Sequence, residues 1–222
     1  MRKTSTLLLA LTVGARAPTG SHADTGLFSP VAGGGQTELA EDGPSILRSR
    51  TVTVDAELIA SMESASASEL VLNLFPDAVF TARATEAGTS GSGSRFWTGS
   101  LVERSSGTAS LVIRDGTLTG TVNAGEVLFL IRPTRDGLHM VREVDPASYA
   151  PELEPIEVSA ALEELPESFE GTDDGSNIDV LVVYTPSARD KAGGTTAIEN
   201  LIDLAVVETN QSYSNSGISQ RL

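Results

Sequence analysis

Two histidines, His22 and His139, are where a metal or acid–base site would have to start. His139 is followed by Met140, so it does not open an HExxH helix, in which two histidines one turn apart hold zinc and the glutamate activates water. His22 lies in a stretch with the layout of an N-terminal export signal. A catalytic zinc takes about three protein ligands, usually rich in histidine; carboxylates could contribute, but one remaining histidine does not make a site. His139, beside Gly137 at the start of a strand pattern, reads as a structural histidine making local hydrogen bonds. The pairs Glu163/Glu164 and Asp173/Asp174 carry groups suited to proton transfer or calcium. They sit in a solvated acidic run without the spacing of an EF-hand loop, so a linker is the plainer account. No GxSxG elbow occurs, which excludes that route to an α/β-hydrolase nucleophile.

Other motifs are weaker. Gly193-Gly194-Thr195-Thr196 opens a helix after an apolar run, a place where phosphate can bind, but no GKS or GKT comes after it. A loop and an N-cap account for it. Phe96-Trp97 offers a flat aromatic surface, yet in an alternating strand one of the two must face the core. Asn210-Gln211-Ser212 fits a glycosylation sequon but falls on a predicted helix. No catalytic, cofactor-binding or metal-ligating residue is assigned.

The elements that would position such groups follow from composition and periodicity. The 222 residues carry a formal net charge of −15 and are 40% hydrophobic. A packed core is expected, and so strong an acidic balance argues against nucleic acid and anionic membrane surfaces as partners. There is no cysteine, which excludes disulfides and thiolate metal sites. Arg2 and Lys3 precede a short apolar stretch, Leu7 to Leu11 and on to Val13, and small residues come next. This order predicts a signal peptide over residues 1–23, with Ala23 as a cleavage position, and hence a secreted protein.

Residues 24–50, rich in Gly, Ser and Pro, are expected to form a disordered leader. Residues 51–145 alternate at period two between turn signals, Asp115-Gly116 and Asp136-Gly137 among them. They predict an antiparallel β domain, a sandwich or open barrel. Residues 146–177 hold nine acids between 151 and 174 and no base at all, and read as an acidic linker. Residues 178–184, Ile-Asp-Val-Leu-Val-Val-Tyr, suit a strand covered on both faces, as at the start of an α/β sheet. A helix is predicted next, with Thr196 and Glu199 placed as a capping box. Its expected apolar face is Ile198, Leu201, Ile202, Ala205, Thr209 and Tyr213, and Gly217 is its stop. Residues 218–222 look like the opening of another strand.

Residues 178–186, then Gly193-Gly194-Thr195, Ile202-Asp203-Leu204-Ala205, Glu208 to Tyr213, Ser216-Gly217-Ile218 and Arg221-Leu222 together resemble the opening of bacterial reprolysin-like (adamalysin-like) zinc metallopeptidases. That family includes the peptidyl-Asp metallopeptidases. Leu72 to Asp77, Trp97-Thr98-Gly99, Leu111 to Gly116, Gly137-Leu138-His139 and Glu143 to Pro146 resemble the β-rich propeptide ahead of such catalytic domains. The resemblance implies an α+β chain: a β-rich propeptide, then the first strand and helix of an incomplete α/β metzincin-like domain over residues 178–222. It also implies a zymogen whose propeptide serves latency and folding, and zinc in the full-length enzyme. The partners it implies are the chain's own catalytic domain and a peptide substrate.

The family's HExxHxxGxxH is absent from these residues, so this chain alone is expected to be inactive. Without cysteine, latency would be steric or use another ligand, such as a carboxylate or His139. Self-cleavage beside Asp173 or Asp174 is an expected maturation event. Asp179 occupies the place of an acid that helps bind a structural calcium in some relatives, and is left unassigned. The alternative is a non-enzymatic secreted β-sandwich that binds or inhibits a partner.

Overall fold

Alternating apolar residues and glycine-bearing turns fold residues 69–144 into a meander, each strand bonded to the next. In the computed structural model, which describes residues 26–31, 45–149 and 177–222, its strands are β3 (Glu69–Phe75), β4 (Ala78–Thr89), β5 (Arg95–Leu101), β6 (Thr108–Arg114), β7 (Thr117–Asn123), β8 (Leu128–Pro133) and β9 (His139–Val144). Two earlier strands, β1 (Phe28–Pro30) and β2 (Ile46–Val54), join beyond β9. The sheet has nine strands in the order β1-β2-β9-β8-β7-β6-β5-β4-β3. All pairings are antiparallel.

Local chemistry sets the turns. At Asp115-Gly116 both residues have positive φ, 51° and 72°. That is the two-residue hairpin turn whose twist matches the flanking strands, and it fixes the register Arg114↔Thr117. Between β2 and β3 lies α1 (Ala56–Glu63), where the Asp55 carboxylate accepts from the Glu57 and Leu58 N–H groups at 2.9 Å each.

The period of two divides each strand between two faces. One face of β5, β6 and β7 turns Trp97, Leu111, Ile113, Leu118 and Val122 into a shared core with Leu72, Ile131 and Val141. Trp97 is fully buried and its indole N–H donates to the Ala67 carbonyl at 2.8 Å, so it packs rather than presents a platform.

The sheet curls until its ends meet. The Leu27 N–H donates to the Val71 carbonyl at 2.9 Å. Asn73 completes the seam: its Oδ1 accepts from the Phe28 N–H at 2.8 Å and its Nδ2 donates to the Phe28 carbonyl at 2.6 Å. The side-chain amide stands in for a peptide group between β3 and β1. Gly26 leaves it room, since a Cβ there would lie 2.3 Å from the Asn73 amide.

The C-terminal segment contains α2 (Pro186–Ala192) and α3 (Thr195–Asn215). Thr185 caps α2 by accepting from the Ala188 N–H at 3.2 Å. The helix α3 stops at Gly217, φ 71°, where Ile218 N–H reaches the Tyr213 carbonyl at 2.9 Å and Gly217 N–H reaches the Ser214 carbonyl at 3.1 Å. This is the paired closure that a C′ glycine permits.

Here the fold departs from the expected α+β class. Residues 178–184 form no strand. They run extended and exposed, tied at one end by the Asn177–Arg221 bridge and the Ile178 N–H to Arg221 carbonyl bond of 2.7 Å. The sheet's two ends meet each other, so this run has no long edge to join. Among the described residues no start of an α/β metzincin-like domain is formed; α3 lies instead on the outer face of β6 and β7. The described residues are mostly β, a nearly closed antiparallel sheet with few helices. Two strands, β1 and the first half of β2, also fall inside residues 24–50, where composition predicts a disordered leader.

Asn73→Ala is expected to strip two buried backbone groups of their partners and lower stability by about 3 kcal/mol. Chemical denaturation measures the loss, and amide exchange at Leu27 and Phe28 should quicken before that of the β5–β7 core.

Candidate functional site

Where α3 crosses β5 and β6, the outer sheet face carries Phe96 and Val112, which pack on Leu204 and Val207 of the helix. Beside this apolar contact lies a polar cluster. Asp203, only 5% exposed, is its centre. Its carboxylate accepts from Ser94 Oγ at 2.5 Å, from Ser92 Oγ at 2.6 Å and from Arg114 Nη2 at 3.1 Å. Arg114, the last residue of β6, also donates from Nε to Ser94 Oγ at 2.9 Å and from Nη2 to Ser92 Oγ at 2.7 Å. Its Nη1 stands 3.3 Å from Glu199. Asn200, fully buried, donates from Nδ2 to the Thr117 carbonyl at 2.8 Å.

Each part of the cluster is placed by a local device. The Ser90–Ser94 turn between β4 and β5 is held by Ser90 N–H to Ser94 carbonyl at 2.8 Å, and it presents both hydroxyls to the helix. The Asp115-Gly116 turn holds Arg114 at the end of β6. Residues 199, 200 and 203 share one face of α3 because three and four steps span one turn.

The chemistry available is limited. Ser94 Oγ has one proton, directed at Asp203, and it accepts from Arg114. It is fully buried, so no substrate carbonyl reaches it. A buried carboxylate without a partner would be very costly; one held by a guanidinium and two hydroxyls is tolerated. The arrangement joins two parts of the chain and does not make a nucleophile.

Further along α3 a buried carboxylate and a buried guanidinium act on each other's charge. Burial pushes Glu208 up from the usual carboxylate range, against a hydrogen bond from Thr121 and the charge of Arg132. Burial pushes Arg132 down, and the Glu208 charge opposes it. An open cavity of about 490 Å³ nearby is lined by Arg132, Arg135, Arg142 and Lys191. Arg135 donates across it to the Asp190 carbonyl at 2.8 Å.

The candidate residues picked out by type and spacing are scattered. His139 is a buried structural histidine: its Nε2 accepts from the Leu118 N–H at 3.1 Å, and burial depresses its pKa to about 4. Ala23, Asp173, Asp174, Glu163 and Glu164 lie outside the described residues. Asp179 is exposed. Asn210 is tied to the Leu222 backbone, accepting from its N–H at 2.9 Å. Thr196 and Glu199 form no capping box: the N-cap is Gly194, with no side-chain bond, and Glu199 faces Arg114 instead. The buried face of α3 is Ala197, Ile198, Asn200, Asp203, Leu204 and Val207, whereas Leu201 and Ala205 are exposed. Sequence reasoning missed Arg114, Ser92, Ser94, Asn200 and Asp203. The available signal was a polar pair one turn apart inside an otherwise apolar helix face.

Among the described residues no three His, Cys, Asp or Glu side chains come together as a metal site requires. His139 Nε2 is already engaged, so the described residues do not fit a catalytic metal. No described helix is long and apolar enough to cross a membrane.

The structure defines a nearly closed antiparallel β unit with a C-terminal helix docked on its outside. In sequence, the chain is similar to the peptidyl-Asp metalloendopeptidase of Xanthomonas campestris pv. campestris, with 30% identity over 199 residues covering 79% of this chain. It is thereby related to a metallopeptidase, and it spans 45% of that relative's length. No family profile and no solved structure matches it.

The neutral His139 makes stability acid-sensitive. Its pKa falls from 6.5 to about 4 on folding, so the unfolded chain takes up the proton first as pH drops. The contribution is complete above pH 6.5, declines from there to about 4 and is lost below, roughly 3 kcal/mol at most. Urea midpoints across that window should fall more steeply for the native chain than for His139→Gln.

Proposed function

We propose that this chain is the N-terminal portion of a secreted zinc metalloendopeptidase precursor of the peptidyl-Asp type, with the β unit as its propeptide. The similarity to the Xanthomonas enzyme carries the reading, because it runs through most of the chain yet covers 45% of that relative. The zinc ligands and the catalytic glutamate belong, in this reading, to the part of the enzyme that these residues do not include. The described residues supply no reacting group; their work is to fold early and hold the segment C-terminal to them.

A second observation favours the reading. Leu181 and Val183 are 90% and 82% exposed, and Val180, Val182 and Tyr184 are partly so. A contiguous apolar run left in water is unfavourable and marks a surface that another part of a protein covers. In the whole precursor, the further chain is the natural cover. Export would remove residues up to Ala23, and maturation would cut the acidic stretch, with Asp173 and Asp174 as the positions an Asp-directed enzyme would choose.

The test is to express the precursor gene in full and assay the secreted product on Asp-containing peptides with and without a zinc chelator. Chelator-sensitive cleavage by a mature enzyme lacking residues 26–149 is expected. A product with no chelator-sensitive activity, or a mature enzyme that retains the β unit, overturns the reading. N-terminal sequencing of the same material should find a start at or next to Asp173 or Asp174.

A further inference from the structure

The segment 177–222 is joined to the β unit by residues 150–176, and the contacts described between the two are made by residues outside that stretch. We infer that the outer face of β5, β6 and β7 is a docking surface for helix α3 which keeps hold of 177–222 after the connecting chain is cut, with the Arg114–Asp203 pair as its specificity element. For its biological meaning this rests on the precursor reading: a single cut in 150–176 would not free the peptidase portion from its propeptide.

Three observations carry the inference. First, the contact has a dry centre. Val112 is fully buried and Leu204 and Val207 are 2% and 8% exposed, although all three lie outside the main core. Second, its polar groups are paired across the junction. Asp203 is met by Ser92, Ser94 and Arg114, all from the β unit, and Asn200 by the Thr117 carbonyl. Pulling α3 away would return Arg114 and Asp203 to water, so the pair contributes to which helix is accepted more than to how tightly it is held, and the apolar contact supplies the affinity. Third, the contact is extended. Glu208 meets Thr121 and the charge of Arg132 further along the helix, and Arg135 holds the Asp190 carbonyl of α2.

The pair also confers selectivity. Arg114 ends a strand whose other residues are all uncharged. A helix with an apolar residue at position 203 would take from Arg114, Ser92 and Ser94 the carboxylate that all three address. A helix with a carboxylate one turn away would miss the fork. The surface therefore accepts one helix register.

The experiment uses the full chain with a site-specific protease sequence inserted between residues 150 and 176. After cleavage, the two fragments are passed through size exclusion at about 10 µM, a concentration at which a complex of micromolar affinity stays together. They are expected to co-elute. Arg114→Ala and Asp203→Ala should each weaken the cleaved pair by at least about tenfold, and the double variant by less than the sum of the two, because both changes remove the Arg114–Asp203 bond. Trp97, the single tryptophan, reports from the sheet core that the β unit remains folded in every variant.

Fragments that separate in the native chain overturn the inference, as do single effects that simply add in the double variant. Neither outcome involves peptidase activity. Failure of the docking surface is thus distinct from failure of the precursor reading, which the chelator assay decides.

Discussion

An antiparallel sheet always ends in two rows of unpaired peptide groups, and the way these ends are satisfied governs the rest of this molecule. Here the first and last strands are brought together, and Asn73 supplies from a side chain the donor and acceptor that the short β1 lacks. The consequence is topological. One sheet face becomes an interior, filled by Trp97, Leu111, Leu118, Ile131 and their neighbours, and the other becomes an outer wall. No long free edge is left, so residues 178–184, though rich in strand-forming side chains, stay outside the ladder.

An outer wall can be polar and solvated, or it can be covered. On β6 and β7 it is covered, by α3, which brings a carboxylate into a dry contact. Burying a charge costs several kcal/mol unless the opposite charge and enough hydrogen bonds are already waiting. Arg114 and the two serine hydroxyls meet that condition. Such a pair adds little to net stability compared with an apolar contact of the same shape. Its value is discrimination, since any other register leaves charges unpaired. The same wall carries Arg132 and Glu208, where burial pushes the arginine down and the carboxylate up while the charge of each opposes the shift of the other.

Under the proposed precursor reading this arrangement has a purpose. A precursor must keep its two parts together while they fold and separate them later. A β unit with its own core and a helix held on its wall divides those tasks between apolar burial, which makes the unit, and a specific charged contact, which selects what it holds.

Much of the β unit was legible from residue types alone. Alternation at period two marked residues 51–145 as antiparallel strands, and Asp115-Gly116 marked its hairpin, because strand periodicity and positive φ are properties of adjacent residues. Gly217 likewise marked the end of α3, and strand alternation required one of Phe96 and Trp97 to face the core, which Trp97 does. What the sequence alone could not decide was which surfaces meet. Counting apolar residues along α3 chose the face of Leu201 and Ala205, whereas the buried face includes Asn200 and Asp203, whose partners Thr117 and Arg114 stand 83 and 89 residues away in the chain. The same limit misassigned residues 178–184: an apolar run states that it needs cover, but only the closed sheet decides that no edge is there to receive it. Local conformation is written in neighbouring residues; the pairing of a buried charge and the supply of a sheet edge depend on where distant parts of the chain come to rest.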